Sequence, residues 1–152
     1  MLYGANALED GGVQLAAADI AAVRSAQPDP GAWGHWLDLA LEQDDIVYFA
    51  MRAEGRLVGE IFLHDIVWER GEGMIGFHVF DPKERNRGIG RAALKLLLAW
   101  VGLETSVRRL FVITRDDNVA ARRLVERAGL DCISRARENE SHVVYQWRQG
   151  DA

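Results

Sequence analysis

Asp81-Pro82-Lys83-Glu84-Arg85-Asn86-Arg87-Gly88-Ile89-Gly90-Arg91-Ala92-Ala93-Leu94 is the stretch that decides how this chain is read. A strand-like apolar run, Met74 to Phe80, enters it, and an amphipathic helix pattern leaves it. Two glycines one residue apart remove side chains from the loop, so backbone N–H groups can approach an anion closely. The helix that follows directs the positive end of its dipole at the same point. Arg85, Arg87 and Arg91 add charge-assisted donors suited to phosphate oxygens. These features together describe a pyrophosphate site.

Upstream of the loop, Ile46 to Met51 and Leu57 to Trp68 read as strands joined by a tight turn at Ala53-Glu54-Gly55. A second glycine-bearing turn, Glu69 to Gly73, leads to the strand Met74 to Phe80 and completes an antiparallel meander. Earlier still come a short strand, Val13 to Ala16, and a helix from Ala18 to Gln27 with Ile20, Val23 and Arg24 at helical spacing, ended by Pro28 and Pro30. Trp33, Trp36, Leu37, Ala40 and Leu41 form the apolar stripe of a second helix.

Downstream, Gly90 to Val101 is a helix with Ala93, Leu94, Leu97, Leu98 and Val101 on one face. Leu110 to Thr114 reads as a central strand covered on both faces, parallel to the strand before the loop through a right-handed crossover. Asp116-Asp117-Asn118 caps a further helix with Val119, Ala120, Leu124 and Val125 inward and Gly129 as its stop. Leu130 to Arg137 and His142 to Gln149 read as a closing hairpin around Asn139.

Strand, Asp-Pro, then Arg-x-x-Gly-x-Gly opening a helix resembles the acetyl-CoA pyrophosphate loop of the GNAT N-acetyltransferases. The order of elements resembles that family over nearly the whole chain. Asn118 to Leu130 is similar to its second signature, and Leu57-Val58-Gly59-Glu60-Ile61 is similar to its RimJ/RimL-type branch. The resemblance implies one α/β (α+β) domain over residues 1–152, with a mixed, mostly antiparallel central sheet flanked by helices on both faces.

It also implies direct acetyl transfer from acetyl-CoA to a primary amine. Arg85, Asn86, Arg87, Gly88, Ile89, Gly90 and Arg91 match the family's phosphate-contacting loop. A backbone N–H of His78, Val79 or Phe80 would polarise the thioester carbonyl, and those residues would bond the pantetheine amides. Asn118 matches a helix-cap contact to the pantetheine arm. The family's usual proton carriers are replaced: Val125 stands where many members have tyrosine, and Ile113 and Met74 where others have glutamate. His78, on the alternation face of Met74, is the remaining candidate base. Glu60 and His64 share a strand face that can meet it. Glu60 is read as a base or amine binder, or as a structural acid paired with an arginine.

Composition bounds the rest. The chain has 152 residues, a formal charge of −5 and one cysteine, Cys132, which forbids an internal disulfide and fits a reducing compartment. There is no membrane-length apolar run and no signal-like N-terminus, so the expectation is a cytoplasmic protein. Residues 1–55 carry nine acids against two bases, which leans towards a small cationic acceptor of aminoglycoside or polyamine type; a peptide N-terminus is the other acceptor class. No metal-ligand spacing occurs, and the arginines are interleaved with acids, so neither a metal nor nucleic acid is expected; a homodimer is left open. Trp33 and Trp36 are core residues or walls of a substrate cleft. Two other functions fit parts of the chain. An acyl-CoA-binding sensor would explain the replaced proton carriers. A dinucleotide-binding oxidoreductase would use Gly88-Ile89-Gly90-Arg91-Ala92-Ala93 with Asp116 or Asp117, against an antiparallel meander foreign to that fold.

Overall fold

The computed structural model describes residues 8–27, 35–134 and 141–150. The elements are β1 (Leu8–Asp10), β2 (Val13–Ala16), α1 (Ile20–Ala26), α2 (His35–Glu42), β3 (Val47–Ala53), β4 (Arg56–Val67) and β5 (Glu72–Val79). After a 3-10 turn at Pro82–Glu84 come α3 (Ile89–Glu104), β6 (Arg109–Arg115), α4 (Val119–Arg127), β7 (Asp131–Ser134) and β8 (His142–Arg148). Pro28, Pro30, Trp33, Asn139 and the 135–137 end of the first hairpin strand lie outside the described residues.

The eight strands form one sheet in the order β1-β2-β3-β4-β5-β6-β8-β7. Every neighbouring pair is antiparallel except β5 and β6, which run parallel because α3 connects them. Glu54 and Gly55, with φ of 50° and 80°, make the two-residue turn between β3 and β4, where both positions must be left-handed.

Two apolar layers hold helices to the sheet. Ala93, Leu94, Leu97, Leu98 and Val101 of α3 and Val125 of α4 pack on one face with Leu15, Phe49, Ile61, Leu110, Val112 and Tyr145. Val23 of α1 and Leu37 and Ala40 of α2 cover the other face over Tyr48, Ala50, Phe62 and Phe80. The mixed sheet with helices on both faces is therefore as expected.

Four expectations need correcting. The edge strand β1 was not anticipated; three residues are too few to show a period. β6 is not covered on both faces: Leu110 and Val112 are buried but Ile113 is 52% exposed, because the α1–α2 layer covers β3, β4 and Phe80 and stops short of β6. In α4, Val119 and Ala120 are exposed and only Val125 is fully buried, since that helix rests on a narrow ridge of α3 and the sheet. Ile20 and Leu41 lie outward, so the buried stripes of α1 and α2 are narrower than their sequences suggest.

Candidate active site

The parallel pairing of β5 with β6 spans only Glu72↔Arg109, Gly73↔Leu110 and Met74↔Phe111. Beyond Met74 no further pair is made among the described residues, although β5 runs on to Val79 and β6 to Arg115. The two strands diverge, leaving a slot whose apex is at Met74 and Phe111 and whose mouth opens at Val79. With about 3.3 Å per residue, the slot is about 17 Å deep. Backbone groups facing such a gap are unsatisfied unless an extended ligand bonds them.

The Arg-x-x-Gly-x-Gly loop stands at the mouth. Asp81 caps the 3-10 turn by accepting from Lys83 N at 2.9 Å. Asn86 (φ 61°) and Gly88 (φ 79°) then turn the chain through left-handed conformations into α3. Gly88 is the N-cap and offers no side-chain acceptor. The first intrahelical bond is from Ala92 N to Gly88 O, so the N–H groups of Ile89, Gly90 and Arg91 face outward at the positive helix end. Gly90 serves packing as well: a Cβ there would lie 2.6 Å from Leu124 Cδ1 of α4.

The arginines are not equivalent. Arg85 donates through Nε and Nη2 to the Val79 carbonyl at 3.4 and 3.2 Å, which clamps the loop to the end of β5 instead of presenting a free phosphate donor. Arg87 pairs with Glu84 at 3.0 Å, and Glu84 also takes Arg56 at 3.1 Å. Among the described residues Arg91 makes no ion pair. Phe80, one of three expected backbone donors, already gives its N–H to the Val58 carbonyl at 2.9 Å. His78, two residues back in the same ladder and opposite Glu60, turns its backbone to β4 in the same way, so Val79 remains. A Cβ on Gly59 would fall 2.3 Å from the His78 carbonyl oxygen and 3.1 Å from Val79 Cα, so only glycine permits this close approach of β4 to β5.

His78 and Glu60 are cross-strand neighbours in register. His78 is half-buried and packs edge-on against Phe80, with centroids 5.3 Å apart. Burial, and then the Arg85 charge, hold its pKa below the ordinary imidazole value, so the ring is neutral at pH 7. Glu60 has no exposed surface and is not presented to a substrate amine. Its neighbours also differ from the expected arginine. Tyr48 Oη and Gln27 Nε2 both donate to Glu60 Oε2, the latter at 3.1 Å. Burial raises its pKa from 4.5 to about 7, against the lowering effect of both hydrogen bonds. Burial and the Glu60 charge push the Tyr48 phenol up as well. Tyr48 and Gln27 had no sequence signal of their own.

On the same face, one cross-strand position from Met74, His64 is held by Asp65: Nδ1 and Oδ2 are 2.5 Å apart. Trp36 of α2 packs on the His64 ring at 4.4 Å and on Phe62 at 4.7 Å. Asn118 caps α4 by accepting from Ala121 N at 3.1 Å. Val125 is fully buried, so the helix carries no proton donor at that position, while Ile113 faces outward beyond the slot. Among the described residues no group of His, Cys, Asp and Glu could hold a metal, and no helix is long and apolar enough to cross a membrane.

Residues 16–130 match the acetyltransferase (GNAT) family model. Among solved structures, the ribosomal-protein-S5-alanine acetyltransferase from Vibrio fischeri superimposes with a TM-score of 0.77 at 15% identity, covering 97% of this chain and 98% of that one. RimL, a ribosomal L7/L12 alpha-N-protein acetyltransferase in complex with coenzyme A, gives a TM-score of 0.75 at 15% identity over 94% and 98% of the two chains. The microcin C7 self-immunity acetyltransferase MccE, in complex with acetyl-CoA and AMP, gives 0.71 at 10% over 91% and 93%. Identities this low carry likeness of fold alone. Among curated proteins none matches.

Proposed function

The chain belongs to the GNAT family of acetyltransferases, and on that premise we propose that it transfers the acetyl group of acetyl-CoA to the N-terminal amine of a peptide or protein. The observation that carries the reading is the slot between β5 and β6, which opens onto a helix start with three outward N–H groups. The pyrophosphate of the co-substrate would sit on Ile89, Gly90 and Arg91 N–H, with Asn86 and Gly88 shaping the turn and the Arg91 guanidinium adding charge. Arg87 would join once it leaves Glu84. The pantetheine arm would lie along β5 against the outward backbone of Val79, with Asn118 at its flank. Two phosphates and an extended amide chain suit this arrangement better than a nicotinamide dinucleotide, for which the antiparallel meander is the wrong frame.

The acceptor class follows from the sheet face next to the slot. Phe111 and Val144 are half-buried and Ile113 is 52% exposed, a floor of apolar side chains beyond the α1–α2 layer. Such a floor suits the first side chains of a peptide. A small polycation would need carboxylates there, and three of the nine acids of the first third serve other ends. Asp19 caps α1, Asp38 pairs with Arg24 at 2.6 Å, and Glu9 accepts from Gln14. The solved relatives named for acetylating ribosomal proteins lend the same direction.

For the chemistry, the neutral His78 would line the path of the pantetheine arm, with Glu60 opposite it on β4. Positioning in a dry slot supplies much of the rest. The test is a thermal-shift comparison of acetyl-CoA, CoA and NADPH, followed by thiol release over peptide and polyamine panels. Stabilisation by acetyl-CoA and turnover on peptides is the expected result. A shift with NADPH alone would refute the slot reading. Turnover on polyamines only would move the acceptor class, and stabilisation without any turnover would make the chain an acyl-CoA sensor.

A further inference from the structure

We propose that His64, oriented by Asp65, is the group that takes the proton from the substrate ammonium. The inference rests on the acetyl-transfer reading above and names a residue for the step that reading leaves open. Three observations carry it.

The first is place. His64 is the cross-strand partner of Met74, the last residue of β5 paired to β6 before the strands part. A chain entering from the loop brings its far, reactive end to this apex. Directly opposed side chains on neighbouring strands stand about 4.5–5.5 Å apart at Cβ. His64 is therefore beside the position at which other family members were expected to carry glutamate.

The second is orientation. The side-chain of His64 is 16% exposed, Trp36 covers one side of the ring, and Nδ1 is bound to Asp65 Oδ2. With the Nδ1 proton donated to a carboxylate, Nε2 carries the free lone pair. It has no hydrogen-bond partner among the described residues and is not sealed from solvent. A carboxylate fixing the tautomer of a base in this way is the general logic of histidine bases.

The third is the backbone that makes the pair. Adjacent residues of a regular strand point to opposite faces, so His64 and Asp65 should not meet. Asp65 has φ of 50°, and the β4–β5 register shifts between His64 and Val67. This bulge bends Asp65 back alongside the ring. A left-handed aspartate is strained, and the fold maintains it where a glycine would relieve the strain.

The proton balance is complete. The ammonium gives one proton to His64 Nε2. The free amine attacks the thioester carbon, forming C–N, and collapse breaks C–S and expels thiolate. The second amine proton goes to the thiolate, and the imidazolium returns its proton to solvent. Trp36 of α2, Met74 of β5 and Phe62 of the same strand flank His64, and none of them titrates. Asp65 is the charge in contact, with Glu60 and His78 further along the face.

The experiment is turnover of the peptide substrate by full-length wild type, His64→Gln and Asp65→Asn from pH 6.5 to 9, with acetyl-CoA thermal shifts alongside. His64→Gln should lose about 100-fold or more in kcat/KM at pH 7 with an unchanged acetyl-CoA shift. The loss should shrink towards pH 9, where an α-amino group of pKa about 8 is already free. Asp65→Asn keeps the left-handed preference and should lose about tenfold, while the Nδ1 resonance of His64 shifts in the NMR spectrum as its acceptor loses the charge. Unchanged turnover in His64→Gln overturns the inference and leaves acetyl transfer standing. So does a loss that stays constant with pH. Absence of wild-type turnover on every amine overturns both together.

Discussion

Replacing Glu60 by glutamine should stabilise the protein above neutral pH and leave it nearly unchanged in acid. Glu60 is fully buried, and its pKa is raised from 4.5 to about 7. Burial disfavours the carboxylate more than the Tyr48 and Gln27 hydrogen bonds favour it. In the folded state the proton is kept where the unfolded chain releases it, so the unfolded state gains ionisation free energy as pH rises. The sign is therefore a contribution complete below pH 4.5 and lost as pH climbs through about 7. At 1.36 kcal/mol per unit, the loss is about 3 kcal/mol above pH 7 and under about 1 kcal/mol at pH 5.

Glutamine keeps the acceptor that Tyr48 and Gln27 use and carries no charge. It also brings N–H donors to a place where Glu60 Oε1 and Gln27 Oε1 both lack a partner among the described residues. Thermal unfolding at pH 5 and pH 8 reads the difference. For a chain of this size about 3 kcal/mol is about 6–12 °C in Tm, appearing at pH 8 only. An equal shift at both pH values, or a lower Tm for Glu60→Gln at pH 8, would show that Glu60 titrates normally and that its burial is misread. Because the carboxyl does not reach an amine, peptide turnover by Glu60→Gln should stay within a few-fold of wild type.

Other expectations follow from single contacts. His78 should titrate by NMR below the ordinary imidazole range, and Arg85→Gln should raise its midpoint by removing the second cause of the depression. Gly59→Ala drives a Cβ into backbone 2.3 Å away and should lower stability by about 1–3 kcal/mol in urea unfolding. Asn118→Ala removes the α4 cap and should cost about 1 kcal/mol by the same measurement. Arg91→Ala removes a cation that makes no ion pair among the described residues, so calorimetry should show acetyl-CoA binding weakened about tenfold or more with folding unchanged.

What could be read from sequence depended on how local the physics was. The anion loop is legible because two glycines, a following helix and nearby arginines act within one turn of chain. The meander and α3 are legible because their burial follows a single period. Coverage is different in kind: the pattern of β6 shows an apolar strand, but not that α1 and α2 stop short of it and leave Ile113 outside. Arg85 fits a phosphate loop by motif, yet the carbonyl it reaches belongs to Val79, at the end of the preceding strand.

The acid–base groups mark the limit most clearly. Glu60 carries an acid into a strand, and its partners come from the end of α1 and from β3, so nothing adjacent in sequence announces them. His64 and Asp65 are adjacent, and for that reason the alternation rule separates them onto opposite faces. Only a bulge with a left-handed aspartate reverses that reading. A rule that holds along the regular strands thus hides the dyad in which, among the described residues, a carboxylate and an imidazole meet. The violation has a local cost, and it stands at the apex of the slot, where strain with a chemical use is expected to concentrate.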